Sequence, residues 1–164
     1  MPQELDETDY RILERLQRDA SISTADLAKE VGLSMSPCWR RIRRLETMGV
    51  IRERVALLDR EKLGLEVTVF ASVKLSAHGR QSLPEFEAAI EDQNEVVGCY
   101  AMTGEVDYLL HVVTRDIRSY EQFLRNHLLQ LPSVREVHSQ IALNELKHTT
   151  RLPLTALGRV GNDA

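Results

Sequence analysis

A chain of 164 residues, 43% hydrophobic and 28% charged, can carry two small domains, each with a modest core. Its start, Met-Pro-Gln-Glu-Leu-Asp, has no targeting character and no apolar stretch is long enough to cross a bilayer, so a cytoplasmic protein with no membrane partner is expected. The formal net charge of −4 argues against a generally basic nucleic-acid coat; residues 1–65 carry 12 Lys plus Arg against 12 Asp plus Glu, and residues 66–164 carry 9 against 13, so a locally basic surface fits only in the first part.

From Glu7 to Arg18, Tyr10, Ile12, Leu13 and Leu16 recur at helical spacing behind Asp6, a capping residue. A second helix is expected within Ser23–Val31, with a Ser or Thr cap and Leu27, Ala28 and Val31 apolar, before the turn Gly32-Leu33. The third helix starts at a Ser34 cap and stops at Gly49. Cys38, Ile42 and Leu45 fall on one arc that should pack inward, while Ser36, Trp39, Arg40, Arg43 and Thr47 point away, with Arg44 at the edge of that outer face. Four arginines within Arg40–Arg44 exceed what a small core needs. A solvated basic face alone would look the same, but helix, helix, turn and basic helix in this order make a helix-turn-helix module for double-stranded DNA. Val50–Leu57 alternates enough to be a strand or two-stranded wing, with Arg52 and Arg54 near a backbone phosphate. The expected DNA contacts are Ser34, Met35, Ser36, Pro37, Trp39, Arg40, Arg43, Arg44, Arg52 and Arg54.

Charged residues and Gly64 mark a boundary, giving a DNA-binding domain over 1–58, a linker over 59–66, a second domain over 67–152 and a C-terminal tail over 153–164, disordered from Leu157. The second domain reads as strand Val67–Leu75, helix Ser82–Gln93, strands Val96–Thr103 and Asp107–Thr114, helix Ile117–Leu131 and strand Val134–Leu146. That is an α+β fold: a winged helix-turn-helix domain followed by a ferredoxin-like βαββαβ sandwich. Phe70, Val97, Tyr100, Leu109, His111, Ile141 and Leu143 give the sheet more apolar surface than one covered face requires, so a second copy is the expected cover. The two cysteines, Cys38 and Cys99, read as small buried side chains, and the five histidines lack ligand spacing, so no metal or cofactor is expected.

Between the middle strands, Met102-Thr103-Gly104-Glu105-Val106-Asp107-Tyr108 is either an ordinary hairpin or a small-molecule loop. Gly104 would let backbone approach a ligand and Asp107 would accept from an α-ammonium group.

Four segments in order resemble the Lrp/AsnC (feast/famine) family of transcription regulators: Leu5–Leu13, Ser36–Glu46, Gly49-Val50-Ile51 and Thr103–Leu110. The resemblance covers nearly the whole chain. It implies a regulator whose second domain, the RAM domain, binds a free amino acid, with homodimers that assemble into octamers. It also implies that the loop binds the effector between dimers; this chain keeps Gly104, Asp107 and Tyr108 and departs at Glu105, where Asp is common. Ser133 and Val134, within Leu131–Arg135, and Thr149 and Thr150 are brought to the same interface by the resemblance. The Trp39-bearing helix and Val55–Asp59 resemble a subgroup of cysteine-responsive, DecR-type regulators, which makes cysteine a candidate effector beside leucine, other branched-chain amino acids and methionine. Two other readings are a sirohaem-decarboxylase-like enzyme using His111 and His138 on adjacent strands, and a nucleoid-organising protein without an effector.

Overall fold

The computed structural model describes residues 5–77 and 83–154. The chain divides into two compact units: residues up to Leu57 together with those from Lys147 onward, and Leu58–Leu146.

The first unit contains α1 (Glu7–Leu16), α2 (Thr24–Glu30) and α3 (Met35–Thr47). A reciprocal capping box opens α1: the Asp9 N–H donates to Asp6 Oδ1 at 2.9 Å and the Asp6 N–H donates to Asp9 Oδ2 at 3.1 Å. Ser23 caps α2 by accepting from the Asp26 N–H at 3.1 Å. At Gly32 the backbone takes φ +71°, a left-handed conformation that costs glycine little, and the Leu33 N–H closes the turn onto the Ala28 carbonyl at 2.8 Å. Ile12, Leu16, Leu27, Ala28, Val31, Cys38, Ile42 and Leu45 form the core, so the inward arc expected of α3 is the buried one.

Two features of this unit differ from the sequence reading. Residues 50–58 contain no strand and make no wing. A strand exists only as part of a ladder, and none of the described residues pairs with the segment; Val55, Leu57 and Leu58 are exposed. Residues 147–154, expected in large part to complete the second domain, pack with the first unit instead. The Gln17 amide holds them, donating to the Leu152 carbonyl at 3.0 Å and accepting from the Leu152 N–H at 2.9 Å. Leu13, Leu16, Val50, Ile51, Leu152 and Leu154 line a cavity of about 280 Å³ beside that contact. The expected disordered tail lies outside the described residues.

The second unit contains β1 (Val67–Leu75), α4 (Leu83–Glu91), β2 (Val96–Ala101), β3 (Tyr108–Thr114), α5 (Ile117–Asn126), a 3₁₀ turn over Leu128–Gln130 and β4 (Val134–Ile141). The sheet runs β2-β3-β1-β4 with antiparallel pairs throughout, the βαββαβ order the sequence predicts. β4 stops short of Leu146 because its partner runs out: the Ala142 N–H still reaches the Thr68 carbonyl at 2.9 Å, and β1 begins one residue earlier. On one face Val69, Ala71, Val73 and Leu75 of β1 and Tyr108, Leu110 and Val112 of β3 bury against Phe86, Ile90, Tyr120, Phe123 and Leu128. Each large side chain buried there contributes roughly 1.5–3 kcal/mol.

On the other face Phe70 and His111, cross-strand partners, stack with ring centroids 4.9 Å apart. Tyr100 covers Gly98, where an added Cβ would meet its ring at 3.2 Å. Ile141 does not share this face: its partner is Val69, on the helix side. Leu143 lies past the end of β4, fully exposed. His111 and His138 are on strands separated by β1 rather than on adjacent ones.

Gln17→Ala removes both bonds to Leu152, each worth about 0.5–1.5 kcal/mol net. Tryptic cleavage after Arg151 should then quicken by roughly tenfold while the sheet unit melts unchanged; an unchanged cleavage rate would show that Gln17 does not hold this segment.

Candidate functional site

The outer face of α3 is built as its periodicity predicts. Met35, Ser36, Trp39, Arg40 and Arg43 are exposed, with Trp39 retaining 54% of its accessible surface despite its size. Ser34 occupies the N-cap position with extended backbone, but its side chain makes no cap hydrogen bond. It was expected to cap the helix; the third helical position is Pro37, which has no N–H to donate to its hydroxyl.

The four arginines of α3 do not share one environment. Arg41 donates to Asp9 Oδ1 at 2.8 Å and to Asp6 Oδ2 at 2.6 Å, and Arg44 donates to Asp9 Oδ2. Asp9 is 0% exposed. Arg44, expected on the DNA-facing set, is therefore engaged in holding α3 to the start of α1. Burial opposes ionisation of Asp6, but the Asp9 N–H and the Arg41 guanidinium outweigh it and hold its carboxyl below the ordinary Asp value. Asp9 and then Asp6 push Arg41 further toward its charged form.

Arg43 pairs with Glu46 at 2.9 Å across one exposed helical turn, and Arg54 reaches the same carboxylate at 3.2 Å. Arg40 and Arg52 have no acidic partner among the described residues. Asp6, Pro37, Arg40, Arg41 and Arg44 line an open groove of about 380 Å³. Sequence reasoning missed Asp9 as more than a first-turn residue of α1. The signal was available: a carboxylate within the apolar run of Tyr10, Ile12 and Leu13 faces inward and needs a cation.

In the second unit the loop between β2 and β3 keeps Met102, Thr103 and Gly104 exposed, with Gly104 at φ +110°. The Met102 N–H closes the loop onto the Asp107 carbonyl at 2.9 Å. Asp107 Oδ2 accepts from the Leu75 N–H at 2.7 Å, so this carboxylate fastens the loop to the end of β1. Ser133 and Val134 meet the same strand end: the Ser76 N–H donates to the Ser133 carbonyl at 2.8 Å, and Val134 is the register partner of Leu75. Asp107, Ser133 and Val134 are thus brought together around Leu75-Ser76.

Tyr108, expected to face a ligand, is buried on the helix side. Its ring packs on Phe86 and its hydroxyl donates to Glu87 at 2.6 Å. Burial and then that carboxylate push its phenol up to about 12. Thr149 and Thr150 belong to the stretch that groups with the first unit.

Cys38 is buried, as expected, but Cys99 is exposed on the edge strand β2. Partial burial pushes both thiols up, with Glu87 adding to the effect at Cys99, which disfavours the reactive thiolate. Among the described residues no three His, Cys, Asp or Glu side chains are grouped to hold a metal, and no helix is long and apolar enough to cross a membrane.

Comparison with known proteins adds independent findings. Residues 5–46 match the family model of the AsnC-type helix-turn-helix domain, and residues 68–152 that of the Lrp/AsnC ligand binding domain. The chain is 37% identical over 150 residues to the DNA-binding transcriptional activator DecR of Escherichia coli, covering 92% of this chain and 99% of that one. It is 39% identical over 154 residues to the glutamate uptake regulatory protein of Zymomonas mobilis, covering 94% and 93%. Among solved structures, an AsnC family transcriptional regulator from Agrobacterium tumefaciens superposes with TM-score 0.88 at 45% identity over 93% of this chain and 99% of that one. A Neisseria meningitidis transcriptional regulator in complex with L-Met also gives 0.88, at 37% identity over 94% and 99%.

Asp107→Ala leaves the Leu75 N–H without its acceptor, a loss of about 1–3 kcal/mol. A calorimetric scan should show the sheet unit melting lower, with Asp107→Asn close to wild type because its carbonyl still accepts. Equal melting of the Ala variant and wild type would exclude this fastening role.

Proposed function

Because the chain belongs to the Lrp/AsnC family of transcriptional regulators, we propose that it is a sequence-specific DNA-binding regulator whose assembly and DNA binding respond to a small free amino acid. The observation that carries the DNA half is the outer face of α3, where Trp39 and Arg40 stand exposed without a protein partner for either role. In this reading Ser34, Met35, Ser36 and Pro37 bring the first turn of α3 to the phosphate backbone. Arg40 and Arg43 reach guanine edges or phosphates, Trp39 meets thymine methyls, and Arg52 and Arg54 add phosphate contacts. The Arg43–Glu46 pair is solvent-exposed and so is worth little against a phosphate.

The effector half rests on the family's ligand-binding domain and on the exposed backbone at Met102, Thr103 and Gly104. Asp107 fastens the loop through Leu75 and stays a candidate acceptor for the ammonium group, Tyr108 supports the loop from beneath, and loop backbone and groups around Ser133 and Val134 join them in recognition. Thr149 and Thr150 stay as candidate hydroxyl donors. The open sheet face with Phe70, Tyr100, Leu109 and His111 is the dimer surface in this reading, and effector-linked octamers follow from the family. A ligand completed by neighbouring dimers favours the assembly that completes its site by its differential affinity. The protein acts where the DNA is, in the cytoplasm, and as a regulator rather than an enzyme. The separation of His111 from His138 by β1 removes the pairing that favoured a tetrapyrrole enzyme.

Thermal-shift scans against the twenty amino acids, paired with fluorescence anisotropy on a duplex selected from a random pool, test both halves. One amino acid should raise the melting temperature by mass action and change the DNA-bound fraction, and Arg40→Ala should weaken binding by about 1–3 kcal/mol. No shift at millimolar concentrations would remove the amino-acid effector, and unaltered binding by Arg40→Ala would remove α3 as the reader.

A further inference from the structure

The arginines of α3 are more numerous than those left available. Of the four within Arg40–Arg44, two converge on one carboxylate: Arg41 on Oδ1 of Asp9 at 2.8 Å, and Arg44 on Oδ2. Asp6 takes Arg41 from a second side at 2.6 Å. Both aspartates are already fixed by the capping box, so neither carboxylate spends rotamer freedom to hold its arginine. Asp9 is wholly buried, so an arginine that left it would strand a desolvated charge. A phosphate at the surface offers no comparable compensation.

Resting on the reading of α3 as the DNA-contacting helix, we propose that Asp9, assisted by Asp6, is a specificity determinant that withholds Arg41 and Arg44 from the DNA backbone. Each arginine that neutralises a phosphate adds affinity for every sequence alike and steepens the salt dependence of binding. A helix with four available guanidiniums would grip any duplex. With two of them committed to α1, the helix docks through Arg40, Arg43 and Trp39, which neutralise fewer phosphates and leave a larger share of the affinity to base contacts. The same clamp fixes the roll of α3 on its core, so the outward face cannot rotate toward extra phosphates. Sequence selectivity is gained by subtracting charge as well as by adding contacts.

The test measures affinity against salt concentration for a selected duplex and for a random-sequence duplex, using the full chain. Asp9→Asn keeps the shape and the acceptor for the Asp6 N–H but removes the charge. The expected result is a salt slope steeper by one to two units on random DNA, roughly tenfold tighter non-specific binding at low salt, and a specificity ratio lower by about tenfold. An unchanged slope, or equal loss on both duplexes, would overturn the proposal and leave Asp9 as a structural clamp only.

Should Asp9→Asn fail to fold, Asp6→Asn serves: asparagine is an equally good cap, and a smaller steepening of the same sign is expected, its absence counting against the proposal. The converse variants separate the two readings. Arg41→Gln should leave the wild-type slope unchanged, whereas Arg40→Gln should lower it by about one unit. Equal lowering by both would make Arg41 a phosphate contact and overturn the withholding. No lowering by Arg40→Gln would overturn the DNA-contact reading of α3, and the proposal with it.

Discussion

One carboxylate that water cannot reach sets the geometry of the DNA-binding unit. Asp9 sits in the first turn of α1 with both oxygens taken by arginines of α3 and one also taken by the Asp6 N–H. Removing a charge from water costs several kcal/mol unless its partners are well placed. The module therefore folds with α3 at one roll angle about its axis, because another angle would break the pairing. Apolar packing by Ile12, Cys38, Ile42 and Leu45 supplies attraction but little angular discrimination, since small side chains repack at modest cost. The ionic clamp discriminates, and it fixes which residues of α3 face outward.

The sheet unit divides its two faces in a comparable way. The helix side is filled by alternating residues of β1 and β3, and Tyr108 carries its hydroxyl to Glu87 so that burial leaves no unpaired oxygen. The other side carries the stacked pair Phe70 and His111, and Phe70 and Tyr100 are exposed there. At the end of β1, the ladder passes into loops from both directions. There Leu75 and Ser76 donate to Asp107 and Ser133, joining the β2–β3 loop to the entry of β4. Exposed Gly104 is thus presented by a fastened frame.

Much of this was legible in the residues. The periodicity of Cys38, Ile42 and Leu45 gave the buried arc of α3, and β-branched runs gave the bounds of β1 without error. Legibility failed where a residue's meaning depends on a distant partner. Asp9 lies 32 and 35 positions from Arg41 and Arg44, so local reading left Arg44 at the edge of the outer face with no partner named for it. The fastening role of Asp107 was hidden because its backbone donor, Leu75, is 32 residues away. Val50–Leu57 had the pattern of a strand but no strand partner among the described residues, and pattern alone does not make a ladder. The contact of residues 147–154 with the first unit was not readable locally, because the Gln17 amide that bonds Leu152 lies 135 residues away.

The charge balance of the first unit has a consequence for recognition. Over residues 5–57 the cations are almost all matched: Arg11 by Glu7, Arg15 by Glu30, Arg18 by Glu14, Lys29 by Asp26, Arg41 and Arg44 by Asp9, Arg43 and Arg54 by Glu46. Among the described residues of that stretch, Arg40 and Arg52 stand apart from every carboxylate. A net charge near zero gives such a unit little long-range pull on DNA, because screening removes distant attraction at physiological salt. What survives is short-range: two unmatched guanidiniums, Arg43 with only a solvent-exposed partner, and one exposed indole on a helix placed by a buried clamp. Affinity then rises only where the duplex meets those groups in register, a condition that depends on sequence and on the spacing between copies of the helix. A weakly attracting surface with few, fixed contacts is therefore more sensitive than a strongly basic one to how many copies of the helix engage one duplex at once, since each further engagement multiplies the effective affinity.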